Sequence, residues 1–140
     1  MQSSGVMRAG FDDPQTYKII GAAMAVHRAL GCGFLEAVYR EALTIELQEQ
    51  HIPFVREARL RVRYHNRVLP VLYIVEFICY DDVLVEIKAL RTIGPIEVAQ
   101  LINYLRIAGR SRGLVLNFGE ASLEHKRIVL GLTTDPARRA

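Results

Sequence analysis

The sequence predicts a mixed α/β domain with a central mixed sheet flanked by helices, in the order α-α-β-β-β-α-β. Three observations predict it. Two segments with helical spacing of apolar residues come first; a segment of strict period-two alternation and two runs apolar on both faces follow; a Gly-Pro-opened helix then leads into a short buried strand. At 140 residues the chain fits one domain. A chain of this size buries roughly two-thirds of its unfolded surface. Residues 1–12 read as a small, polar, disordered leader, 13–132 as the domain, and 133–140 as a frayed tail.

Asp12-Asp13-Pro14 is a helix start, with Asp as cap and Pro in the first turn. The helix runs to Leu30 on a stripe of Ile19, Ile20, Ala23, Val26, Ala29 and Leu30, and Gly31 ends it. A second helix, from about Leu35 to Gln50, carries one wide buried face of Leu35, Val38, Tyr39, Ala42, Leu43, Ile45, Glu46 and Leu47. His51-Ile52-Pro53 closes it. From Glu57 to Tyr64, Arg59, Arg61 and Arg63 alternate with Leu60, Val62 and Tyr64, which is a half-buried strand. Val68 to Tyr80 and Val83 to Leu90 are apolar on both faces and read as internal strands. Gly94-Pro95 opens the third helix and Gly109 ends it; Gly113 to Asn117 is a buried strand, and Lys126 to Leu132 a last short element of undetermined type.

Hydrophobic residues make up 51% and charged residues 24%, which is globular and not disordered. A net charge of +3 permits a phosphate-bearing partner without requiring one. Cys32 and Cys79 are far apart and no apolar leader precedes them, so the expectation is free thiols in a reducing, cytoplasmic setting. The spacing excludes a C-x-x-C metal or redox motif. The longest apolar run, Val68 to Cys79, is interrupted by Pro70 and Glu76, so no membrane span is expected.

Three charges stand where a sheet core should be apolar: Glu76, Glu86 and Lys88. Glu86 and Lys88 are two apart on a strand and project from one face. Bare buried charges are costly unless paired or bound to a metal. Two carboxylates beside one ammonium suit magnesium or manganese, with the lysine holding an activated water or a phosphate oxygen, which is phosphodiester hydrolysis. An isolated Glu-x-Lys is more often a structural ion pair. The hydrolytic reading also demands a register. A three-residue Tyr80-Asp81-Asp82 loop opposes Cys79 to Val83 and Glu76 to Glu86. It puts Ile74, Ile78, Leu84 and Lys88 on the acids' face and Val75, Phe77, Val83, Val85 and Ile87 on the other.

Further segments add context. Gly33-x-x-Glu36-x-x-Tyr39 opens the second helix; Gln100 and Tyr104 are one turn apart on the third. With Val26-His27-Arg28-Ala29-Leu30-Gly31, Val85-Glu86-Ile87-Lys88-Ala89, Gln100-Leu101-Ile102-Asn103-Tyr104-Leu105 and Asn117-Phe118-Gly119, the chain resembles the GxxExxY family of the PD-(D/E)xK nuclease superfamily from about Ile19 to Val129. The resemblance implies a restriction-endonuclease-like core and a site lined by Glu36, the acid at position 76, Glu86, Lys88 and Gln100. Glu36, Glu76 and Glu86 would serve the metal. Two positions depart from the pattern: Glu76 stands where the family carries Asp, and Ala25 where a Glu is expected.

Two functions follow as expectations. The first is a magnesium-dependent (or manganese-dependent) nuclease-fold hydrolase of DNA or RNA, with a homodimer plausible by analogy. The second is an eroded nuclease-fold module that binds nucleic acid or protein; Glu76 and Ala25 favour it. Arg59, Arg61 and Arg63 could track a phosphate backbone or equally blunt a sheet edge. His27, Tyr39, Tyr104 and Cys79 read as core residues.

Overall fold

A computed structural model describes residues 12–131. The expected leader and the tail over 133–140 fall, save for Asp12, outside those residues. The elements are α1 (Pro14–Leu30), α2 (Glu36–Glu49), β1 (Phe54–Tyr64), β2 (Arg67–Cys79), β3 (Val83–Lys88), α3 (Pro95–Ala108), β4 (Arg112–Asn117) and β5 (Glu124–Val129). They form a five-stranded mixed sheet in the order β1-β2-β3-β4-β5. Only β3 and β4 are parallel, and α3 is the crossover between them. The last element, undetermined from sequence, is an eighth among the described residues, and it is a strand. It pairs antiparallel with β4 from Arg112↔Val129 to Asn117↔Glu124.

The expected caps are present. The Asp13 side chain accepts from Thr16 N at 3.2 Å and from Arg112 and Arg127 at 2.6 and 3.0 Å, so the start of α1 is tied to the far strands. Gly31 ends α1 with a φ of 70°, and Gly109 ends α3 in the left-handed region with a φ of 68°.

Each sheet face has its own core. Ile19, Ala22, Ala23 and Val26 of α1 and Tyr39, Leu43 and Leu47 of α2 pack on Phe77, Val85, Ile87, Leu114, Leu116 and Phe118. On the other face, Leu101, Tyr104 and Leu105 of α3 pack on Leu60, Val75, Leu84 and Val115. The buried stripe of α2 is narrower than expected: Leu35, Val38 and Ile45 are exposed, because the positions that meet the sheet are spaced by four, at Tyr39, Leu43 and Leu47. Ala29 of α1 is exposed as well.

Strand β2 is internal, as expected, but only its second half is covered. It has 13 residues against six in β3, so its first half projects with β1 as a hairpin and leaves Val68, Val71, Leu72, Tyr73 and Ile74 exposed.

The β2–β3 turn has the predicted register: Phe77↔Val85, Ile78↔Leu84 and Cys79↔Val83. Its loop is Tyr80-Asp81-Asp82, with Tyr80 and Asp81 at φ values of 56° and 54°. One assignment differs. Val75 lies with Leu84 in the α3 core, while Phe77, two residues on, lies in the α1–α2 core. Regular alternation would put both on one face. The pairing with β1 passes from Arg56↔Phe77 to Ala58↔Val75, and Glu57, opposite Glu76, has a φ of 56°. The sheet is thus locally broken at Glu76, where the chemistry was expected.

Candidate active site

The β2–β3 ladder ends at Phe77↔Val85, one pair short of the acids. Where the next ladder bonds would fall, carboxylates take over. Glu76 N donates to Glu86 Oε2 at 3.0 Å, and Ile87 N donates to Glu76 Oε1 at 2.5 Å. Each acid satisfies a main-chain donor that the parting strands leave without a carbonyl. The break therefore brings the two carboxylates together and fixes both.

Glu86 is 6% exposed. Burial first, and then repulsion from Glu76, push its carboxyl up to about 7; the Glu76 N–H and Lys88 pull the other way with less effect. Lys88 follows on the same face, at the end of β3, and its Nζ donates to Gln100 Oε1 at 3.2 Å. Tyr104 lies one turn beyond Gln100 on α3, its hydroxyl held above the ordinary range by burial and then by Glu86.

Arg40, which the sequence reading passed over, completes the group. Its Nε and Nη2 both donate to Glu76 Oε2, at 2.8 and 2.5 Å, and Nη2 also reaches Glu36 Oε1 at 3.3 Å. Burial opposes the guanidinium's charge, but Glu76 and then Glu36 hold its pKa above the ordinary value. The signal for it was present: Glu36 and Arg40 are an i,i+4 pair on α2. Nothing in that spacing said that the arginine would also meet a strand.

The structure thus brings Glu76, Glu86, Lys88 and Gln100 to one end of the sheet, with Glu36 across the Arg40 guanidinium. Arg59, Arg61 and Arg63 stand exposed on the edge strand β1 and do not join them. Among the described residues no three His, Cys, Asp or Glu side chains converge as a metal cage. The donor chemistry still fits magnesium, which binds through one or two carboxylates and keeps waters and substrate oxygens for the rest. Glu76 and Glu86 are the pair of hard oxygens that would hold it, and a cation beside them would relieve the repulsion that raises Glu86.

Several of the other motif residues hold the frame of this site. The Tyr39 hydroxyl donates to Gly31 O at 2.6 Å and accepts from Phe34 N at 3.2 Å, while its ring stacks on Phe118 at 4.7 Å. His27 Nε2 bonds Glu120 O at 2.8 Å. Asn117 Oδ1 accepts from Leu90 N and Gly119 N at 2.8 and 3.1 Å; its Nδ2 donates to Leu90 O and Glu124 Oε1 at 3.1 and 2.9 Å. That network anchors the segment leaving β3 just after Lys88.

A mixed sheet with helices on both faces, and two acids and a lysine where its central strands part, define a restriction-endonuclease-like fold. The sequence profile described as the PD-(D/E)XK nuclease superfamily matches residues 13–128. The chain belongs to that superfamily. No curated protein matches the chain. Among solved structures, the one titled "Crystal structure of SSO0001" is similar with a TM-score of 0.55 at 16% identity, over 74% of this chain and 54% of that one. The chain thus spans about half the length of that relative, and the likeness is one of fold. No helix among the described residues is long and apolar enough to cross a membrane.

Proposed function

We propose that the protein is a magnesium- or manganese-dependent phosphodiester hydrolase of DNA or RNA, in the GxxExxY branch of its superfamily. The observation that carries this reading is the meeting of Glu76 and Glu86 across the β2–β3 break, with Lys88 on the same face. Glu76 and Glu86 would hold the metal, with Glu36 on the outer side of Arg40. When bound, the metal supplies charge to the scissile phosphate and acidity to a water. Lys88, steadied by Gln100, donates a hydrogen bond to the attacking water or to a non-bridging phosphate oxygen. Water attacks phosphorus, one phosphorus–oxygen bond forms, and the bond to the leaving sugar oxygen breaks. Arg59, Arg61 and Arg63 would contact the phosphate backbone beyond the cut. A second copy of the chain would supply the cut on an opposite strand. The two free cysteines, Cys32 and Cys79, fit a reducing, cytoplasmic setting.

A second reading rests on Arg40. A guanidinium already neutralises Glu76, a Glu stands where Asp is the pattern, and Ala25 replaces an expected acid. In this reading the site is eroded and the fold binds nucleic acid or protein without cutting it. The deciding experiment is incubation of the purified protein with single- and double-stranded DNA and RNA in magnesium and in manganese. Cleavage that disappears in Glu86→Gln and Lys88→Ala supports hydrolysis. Binding without cleavage in either metal supports the eroded module.

A further inference from the structure

A groove of about 660 Å³ lies between the β1–β2 hairpin and α3, and it begins at Gln100, the residue that holds Lys88. Tyr73 of β2 and Tyr104 of α3 form its aromatic part, with ring centroids 5.6 Å apart and planes tilted by 51°. Tyr73 remains 40% exposed, so one ring is open to a ligand. Gln100, Asn103 and Arg106 add two amides and a guanidinium from successive turns of α3. Ile96 forms an apolar lip, and among the described residues no Asp or Glu lines the groove.

We infer that this groove takes an unpaired nucleotide of a single-stranded nucleic acid next to the hydrolytic site. The inference rests on the phosphodiesterase reading and specifies the form of its substrate. The lining matches a nucleotide part by part. A base has a flat apolar face, which the open Tyr73 ring can stack, and a polar edge, which amides such as Asn103 and Gln100 can bond. The phosphate beside it is anionic, and the described residues of the groove offer the Arg106 guanidinium and no carboxylate. A paired base within a duplex would present neither its face nor its pairing edge to Tyr73. Gln100 belongs both to the groove and to the Lys88 contact, so a nucleotide held here leaves its strand running toward Glu76 and Glu86.

The test is fluorescence anisotropy with a labelled mixed-sequence oligodeoxynucleotide, free and annealed to its complement, in calcium buffer. The wild type should prefer the free strand. Tyr73→Ala should weaken single-strand binding about tenfold, as loss of one stacking ring does. Tyr73→Phe should preserve it, Asn103→Ala should also weaken it, and duplex binding should change little in all three. If Tyr73→Ala and Asn103→Ala leave single-strand affinity unchanged while the wild type still cleaves nucleic acid, the groove falls and the hydrolase reading stands. If both variants weaken single-strand binding while the wild type cleaves nothing, the groove stands and the hydrolase reading falls. A wild type that binds neither form removes both. A dimer that Ile96→Asp converts to monomer, with oligonucleotide affinity unchanged, would assign the groove to a second copy and overturn the inference.

Discussion

Glu76 and Glu86 are bonded through each other's strand: the main-chain N–H of Glu76 holds Glu86, and the N–H of Ile87, next to Glu86, holds Glu76. This fixes two carboxylates side by side, where a cation or a proton relieves their repulsion. The Arg40 guanidinium serves Glu76, and in the metal-free protein the buried Glu86 takes the proton. Glu86 rises from 4.5 to about 7 in the folded state, so between those values the folded chain binds a proton more tightly than the unfolded one. Stability from this group is complete below the unfolded value and is lost as pH rises through 7. A change of that size corresponds to roughly 3 kcal/mol. Urea melts in chelator should show stability falling between about pH 5 and pH 7 relative to Glu86→Gln, whose curve lacks this term. Manganese should restore the wild type at high pH. A wild-type curve parallel to that of Glu86→Gln would show that Glu86 ionises in the folded state at its ordinary value.

Lys88→Ala separates chemistry from architecture. Lys88 is only half-buried at the end of β3, and among the described residues its side-chain hydrogen bond is the one to Gln100. Its loss should leave the melting temperature near wild type and reduce cleavage by about 100-fold or more. Oligonucleotide affinity should change little. A collapse of thermal stability instead would make Lys88 half of a structural ion pair with Glu86.

The sequence showed the β2–β3 register because two acids in an apolar run make sense only when they face one another, and the three-residue loop followed from that demand. It showed β2 and β3 as internal strands because both runs are apolar on both faces, and β4 as a short buried strand. It could not show that β2 outruns β3, since an apolar run reads alike whether or not a neighbour covers it; hence the exposed Val71, Tyr73 and Ile74. It did not show the break at Glu76 either. That break lies opposite Glu57, a residue of β1 with a left-handed φ, and no local spacing of β2 encodes it. Arg40 escaped for the same reason: its helix spacing describes a surface pair, and only the break turns Glu76 toward it.

Gly119→Ala should destabilise the fold without touching any charged site group. A Cβ at position 119 would meet Leu90 O at 2.2 Å and Leu90 N at 2.6 Å, and main-chain atoms of the strand exit cannot rotate away. The expected loss is about 3 kcal/mol or more in chemical denaturation. Gly21→Ala makes the control, because nothing lies within 4 Å of its added Cβ. It should be neutral to slightly stabilising in α1. Equal stability of the two variants would mean that the Asn117-Phe118-Gly119 segment is free to move off Leu90, and that it does not anchor the end of β3.

Arg40 holds the balance between the two functional readings, and its removal gives opposite signs for two measurements. Its guanidinium touches Glu76 twice and Glu36 once, with Glu76 14% exposed on its side chain. Arg40→Met keeps much of the aliphatic stem and removes the charge. The metal-free protein then carries two carboxylates, Glu76 and Glu36, without their cation, so its stability should fall by about 1–3 kcal/mol, a partly exposed version of breaking a buried pair. The same loss removes a positive charge from beside the acids, so manganese binding by calorimetry should tighten by about tenfold. Manganese should then stabilise the variant more than the wild type. Weaker manganese binding in Arg40→Met would show that the arginine positions Glu76 for the metal and does not compete with it. Binding absent from both proteins would leave Arg40 as the permanent partner of Glu76 and make the eroded module the better account of the site.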